Sequence, residues 1–114
     1  MAKSKIPGPL ERRRFIERDM SEAQALALAE AYLAAGRNVE AIEFLCKADA
    51  QDRLATLRSE AVQAGDLFLF RAVTQATRQA PQNEEWAALA RAAEAVGKDR
   101  YATEAIRQAE RGED

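Results

Sequence analysis

Histidine is absent from the 114 residues and cysteine occurs once, which removes most side-chain catalysis before any fold is considered. Without imidazole there is no Ser-His-Asp or Cys-His relay, no HExxH motif and no Cys/His zinc site. Cys46 follows Ile42-Glu43-Phe44-Leu45, with only Lys47 as an adjacent cation. That setting predicts a small buried hydrophobe rather than a reactive thiolate. A single cysteine cannot close an internal disulfide, which agrees with a reducing compartment. The carboxylate pairs Glu84-Glu85 and Glu113-Asp114 have bland explanations. The first falls in a helix's opening turn, where it complements the macrodipole, and the second is a tail. Neither comes with a pocket that would separate two pKa values for acid/base work. The expectation is a non-enzyme with no catalytic residue, no cofactor and no metal.

Two other groups of residues invite a functional reading. Residues 1–18 hold Lys3, Lys5, Arg12, Arg13, Arg14 and Arg18 against Glu11 and Glu17, a net +4, while the remainder carries −6. Arg12, Arg13 and Arg14 could meet the phosphates of a polyanion, each contact adding to the salt dependence. The same helix could equally lie against the acidic body of its own chain or be solvated. Phe15 is the only aromatic close enough to stack on a base, which argues against nucleic acid as the partner. Trp86 looks like a binding aromatic but fits a core position between helices. The helix's single narrow apolar edge also argues against a membrane surface.

These residues must be positioned by helices. Alanine occurs 26 times against 5 glycines and 3 prolines, a composition that favours helix because alanine loses no side-chain entropy there. Residues 1–9 hold Pro7, Gly8 and Pro9 and read as a flexible arm, with Pro9 placed to open a short basic helix over Leu10–Asp19. Its apolar edge is Phe15, Ile16 and Met20. Ser21 and Gln24 have capping-box spacing ahead of a helix marked by Ala25, Leu28, Ala29 and Tyr32. Gly36 ends it, and Asn38 is placed to cap the next, whose Ile42, Leu45 and Cys46 share a face. Leu54, Leu57, Ala61 and Ala64 mark a third helix closed by Gly65. Asp66 then caps a fourth with Leu67, Phe68, Leu69, Phe70 and Val73, apolar all round its first turn and so expected to be covered on several sides. After Pro81, Asn83 is placed to cap a fifth helix bearing Trp86, Leu89, Ala90, Ala93 and Val96. Gly97 leads into a sixth with Tyr101, Ala102, Ala105, Ile106 and Ala109. No segment alternates with period two, so no sheet is expected. The positive N-terminus has no apolar run behind it, and nothing approaches the roughly 18 apolar residues of a membrane span. A soluble, cytoplasmic protein is expected.

Gly36, Gly65 and Gly97 lie 29 and 32 residues apart, each between two amphipathic helices. A recurring helix pair at this period marks a helical solenoid. The first unit resembles a tetratricopeptide repeat at Leu28, Ala29, Tyr32, Gly36, Ala41, Leu45 and Ala48. The third resembles it at Trp86, Leu89, Ala90, Ala93, Gly97, Ala102, Ile106 and Ala109. Ala29 with Ala41, and Ala90 with Ala102, would let paired helices approach closely. The middle unit keeps Leu54, Leu57 and Ala61 but has Arg58 where the family has a small residue and Phe70 where it has alanine. Thr74 and Thr77 are weak matches.

The resemblance implies an all-α right-handed superhelix of three antiparallel helix pairs, about residues 21–48, 50–79 and 83–111. Together with the basic helix they form one domain over 10–114. It also implies a concave groove lined by the first helix of each pair. Those positions are Leu26, Glu30 and Leu33; Ala55, Ser59 and Val62; and Ala87, Arg91 and Glu94. The Lys/Asn set with which some members clamp a C-terminal carboxylate is missing, so that ligand is not expected. The expected function is an adaptor or assembly scaffold that holds a protein or peptide. Apolar burial at Leu26, Leu33 and Val62 would supply affinity, and Glu30, Arg91 and Glu94 selectivity. The alternatives are self-assembly through an open Ile106 face at the last helix, and polyanion binding through the basic helix.

Overall fold

The computed structural model describes residues 6–17 and 19–112; Lys3, Lys5, Arg18 and the Glu113-Asp114 pair lie outside them. Within the described residues the chain is all-α. Its helices are α1 (Pro9–Glu17), α2 (Glu22–Ala34), α3 (Asn38–Lys47), α4 (Gln51–Ala64), α5 (Leu67–Thr77), α6 (Asn83–Ala95) and α7 (Asp99–Gly112). The chain divides into two compact units, Met1–Leu54 and Ala55–Asp114.

In the first unit, α1 starts at Pro9 and ends at Glu17, shorter at its C-terminal end than the expected Leu10–Asp19. The Arg12 N–H donates to the Gly8 carbonyl at 2.8 Å. Proline fits the first helical position because the N–H it lacks would have no partner in the opening turn. Ser21 caps α2, its Oγ accepting from the Gln24 N–H at 3.1 Å. The helix packs on α3, and the small residues Ala29 and Ala41 are both fully buried. Tyr32 and Phe44 stack beside them, with ring centroids 5.6 Å apart. Asn38 does not cap α3. It is the first helical residue, and Arg37 occupies the cap position without a side-chain capping bond to the helix backbone. Arg37 pairs with Glu40 instead, Nε to Oε1 at 2.6 Å and Nη2 to Oε2 at 2.5 Å. The expected face of Ile42, Leu45 and Cys46 also needs correction, since Ile42 and Leu45 are buried but Cys46 is exposed. Phe44, two residues before it, takes the core position.

In the second unit, Gly65 has φ +65°. An added Cβ there would lie 2.4 Å from Ala93 N and 2.5 Å from Ala93 Cα. Only glycine meets both conditions, the left-handed backbone and the close approach of α6. Asp66 caps α5, its Oδ1 accepting from the Leu69 N–H at 3.1 Å. Leu67, Leu69, Phe70 and Val73 are buried, but Phe68 is 65% exposed, so the first turn of α5 is not covered all round. The α6 cap is Gln82 rather than Asn83, and Glu85 Oε1 accepts from the Gln82 N–H at 2.9 Å. Trp86, Leu89, Ala90 and Ala93 turn inward, whereas Val96 is 61% exposed at the helix end. Helices α6 and α7 pack closely, with Ala90 and Ala102 buried.

Candidate functional site

Arg58 and Phe70, the two residues that depart from the expected repeat pattern, occur together. Phe70 is fully buried and meets the Trp86 ring edge-on, centroids 5.0 Å apart. The Arg58 guanidinium lies 5.4 Å from the Phe70 ring centre. Arg58 donates from Nε and Nη2 to the two carboxylate oxygens of Glu85 at 2.6 and 2.7 Å. Its Nη1 and Nη2 also reach the carbonyls of Gln79 and Ala80, both at 3.1 Å. This pairing is the main reason that the Glu85 carboxyl is held below its ordinary range and that Arg58 is raised further. A long cation at a small-residue position is thereby accommodated, with its charge neutralised and its donors directed to fixed acceptors. Trp86 is a core residue of this cluster, 7% exposed. Glu85, half of the Glu84-Glu85 pair, has an internal task.

The positions expected to face a partner are at least partly open to solvent on every helix concerned. In the first unit Leu26 is exposed, and Glu30 and Leu33 are half-buried, next to fully buried Ala25 and Ala29. In the second unit Ala55 and Ser59 are exposed and Val62 half-buried, alternating with buried Leu57 and Ala61. Also there, Arg91 and Glu94 are exposed and Ala87 is half-buried, beside buried Trp86, Ala90 and Ala93. Glu30 forms an ion pair with Arg53, a residue the sequence did not single out. Leu26 borders a cleft with Asp49, Ala50, Gln51, Asp52 and Arg53. That cleft was not legible beforehand, because Asp49 adopts φ +51° without being a glycine.

The basic helix is partly engaged by its own unit. Arg12 Nη2 donates to the Glu40 carbonyl at 2.9 Å. Its guanidinium lies 5.5 and 5.6 Å from the ring centres of Tyr32 and Phe44. Arg13 and Arg14 are exposed. A cleft of about 440 Å³ lies between the α1 N-terminus and Arg37 and Glu40, but Arg37 and Glu40 already bind each other there.

Cys46 is exposed, but its surroundings disfavour the thiolate. Partial burial and the neighbouring Glu43 charge both push its thiol above the ordinary range. The described residues contain no cluster of three metal-ligating side chains and no helix long and apolar enough to cross a membrane. In comparisons with known proteins, no family model, no curated protein and no solved structure matches the chain.

Proposed function

We propose that the chain is a non-catalytic module that binds a protein or peptide through the outward faces of α2, α4 and α6. The observation that carries this reading is the repeated alternation on those three helices. Each buries one stripe of alanine with leucine, tyrosine or tryptophan and leaves another stripe open to solvent, mixed apolar and charged on α2 and α6 and apolar with a hydroxyl on α4. Such a stripe offers apolar area for affinity and charges for selectivity, while the buried stripe keeps it rigid. The finer fold, a tetratricopeptide-like superhelix, belongs to the same proposal. Packed helix pairs and left-handed glycines at Gly36, Gly65 and Gly97 support it. A reducing, cytoplasmic setting is also part of it, supported by the single cysteine.

The test is selection from a random peptide display library, followed by titration of a selected peptide against wild type and a Val62→Ser/Arg91→Ala variant. Weaker binding to the variant, with an unchanged melting temperature, is the expected result. Equal binding, or no selected peptide, would count against it.

A second reading, self-assembly, is favoured by Phe68, Val96 and Ile106, which remain 65%, 61% and 46% exposed. A solution mass that stays monomeric as concentration rises removes it. Polyanion binding draws less support, because Arg12 already directs a donor and its π-contacts inward.

A further inference from the structure

Helix α7 has two unlike sides. Ala102 and Ala105 are buried, while Arg100, Arg107 and Arg111 are exposed. At about 100° per residue, the three arginines fall within about 40° of one another, on the side away from those alanines. Asp99, Ile106 and Glu110 lie about a quarter-turn round the helix. A rise of about 1.5 Å per residue sets Arg100 about 10 Å along the axis from Arg107, and Arg107 about 6 Å from Arg111. Arg71 of α5 reaches the same helix: its Nη2 donates to Glu104 Oε1 at 2.9 Å, while Arg107 Nη1 donates to Glu104 Oε2 at 3.2 Å. These residues all belong to the second unit. Four arginines thus gather round one carboxylate, and Arg100 and Arg111 have no ion-pair partner among the described residues. Arg71 and Arg107 keep further N–H donors, since a guanidinium carries five.

We propose that this face binds the phosphate backbone of a nucleic-acid duplex without reading its bases. Charge and apolar area together select that occupant. Ile106 is the one large exposed hydrophobic residue of α7 among the described residues. An acidic peptide would find little apolar area beside the arginines, and exposed ion pairs alone give little affinity. A duplex carries condensed counterions, and each phosphate neutralised by an arginine releases some of them. Each strand sets a phosphate about every 3.4 Å of axis, so guanidinium groups spread over about 16 Å can engage different phosphates. Single strands fit less well, because they bind through aromatic rings on which unpaired bases stack. Here Tyr101 is half-buried, with Lys98 Nζ 5.9 Å from its ring centre. The site uses none of the residues assigned to peptide binding on α2, α4 and α6. It also differs from the basic helix α1, where Arg12 is turned inward.

The test uses the full chain and a fluorescein-labelled DNA duplex of about 20 base pairs, with anisotropy read from about 20 to 200 mM salt. Wild type should bind, log K falling by about 3 per unit of log salt as three or four phosphates are engaged. Arg100→Gln/Arg111→Gln leaves the Glu104 contacts in place. It should bind about tenfold more weakly at low salt, with a slope shallower by about 2 and an unchanged melting temperature. Should that variant unfold, Arg111→Gln alone should reduce the slope by about 1, and an unchanged slope would overturn the inference. Arg13→Gln/Arg14→Gln on α1 should match wild type, and poly-glutamate should not compete with the duplex. No binding of the duplex at low salt would overturn the inference, as would wild-type affinity and slope in the α7 variant. Weakening by the α1 variant alone would move the contact to α1 and overturn it too. Competition by poly-glutamate, charge for charge, would make an acidic protein segment the occupant and count equally against it.

Discussion

Arg58 and Glu85 meet side-on through two hydrogen bonds, Nε to Oε2 at 2.6 Å and Nη2 to Oε1 at 2.7 Å, joining α4 to the first turn of α6. Their side chains are 13% and 25% exposed. Removing one member leaves the other partly buried without its counter-charge, which costs more than the pair contributes. Arg58→Ala should destabilise by about 2 kcal/mol, and Arg58→Met by less, because its stem still packs on Phe70. Urea denaturation followed by Trp86 fluorescence measures both.

The same pair sets a pH dependence. The folded Glu85 carboxyl is held below its ordinary range, first by the hydrogen bonds from Arg58. The unfolded chain therefore takes up this proton at higher pH than the folded one. The stabilisation is complete above the ordinary glutamate pKa of about 4.3 and is lost as pH falls below it through the folded value. Glu85→Gln should be less stable than wild type at pH 7, and the difference should narrow toward pH 3. Parallel stability curves over that interval would contradict the assignment.

Gly65 should be the most sensitive of the three hairpin glycines. A Cβ at Gly65 would strike the α6 backbone, while at Gly36 and Gly97 it would meet nothing within 4 Å. Gly36→Ala and Gly97→Ala should each cost about 1–2 kcal/mol from left-handed strain alone. Gly65→Ala adds a backbone clash and should cost about 3 kcal/mol or more, and Gly65→Val still more. Midpoints of urea unfolding rank the variants directly.

Much of this arrangement could be read from residue types. The hairpin glycines, the caps at Ser21 and Asp66, and the inward alanines and leucines all follow from spacing, because each serves a local requirement of helix geometry. The turns between hairpins were not legible, since Asp49 and Arg78 supply positive φ there without glycine. Cap identity slipped by one residue at Asn38 and Asn83, where Arg37–Glu40 and Gln82–Glu85 contacts replace the asparagine cap. Arg58 and Phe70 looked like separate departures from a repeat. Only the fold shows them in contact, 12 residues apart, each accommodating the other. Of the candidate site, the open helix faces followed from periodicity, but the cleft at Leu26 depended on a turn that no local signal announced.

Cys46 should be accessible yet sluggish. Its thiol is pushed above the ordinary range by partial burial and then by Glu43, so the thiolate is scarce at neutral pH. Iodoacetamide should modify it more slowly than it modifies glutathione at pH 7, with the rate still rising above pH 9. Cys46→Ser should change stability by no more than about 0.5 kcal/mol, as for other exposed positions. A fast reaction at neutral pH would show a thiolate that these surroundings do not favour.

Arg12 should hold α1 in place. Arg12→Ala removes the bond to the Glu40 carbonyl and the contacts over Tyr32 and Phe44, at a cost of about 1–2 kcal/mol. Amide hydrogen exchange should quicken across residues 10–17 and stay unchanged in α6 and α7. Unaltered exchange in α1 would mean that other contacts seat the helix.

The most direct measurement of the central claim is amide-resonance mapping of the labelled full chain as a display-selected peptide is added. The account predicts that shifts concentrate on α2, α4 and α6, around Leu26, Ser59, Val62, Arg91 and Glu94. Shifts confined to α3, α5 and α7 would contradict it and place recognition on the helices it treats as support.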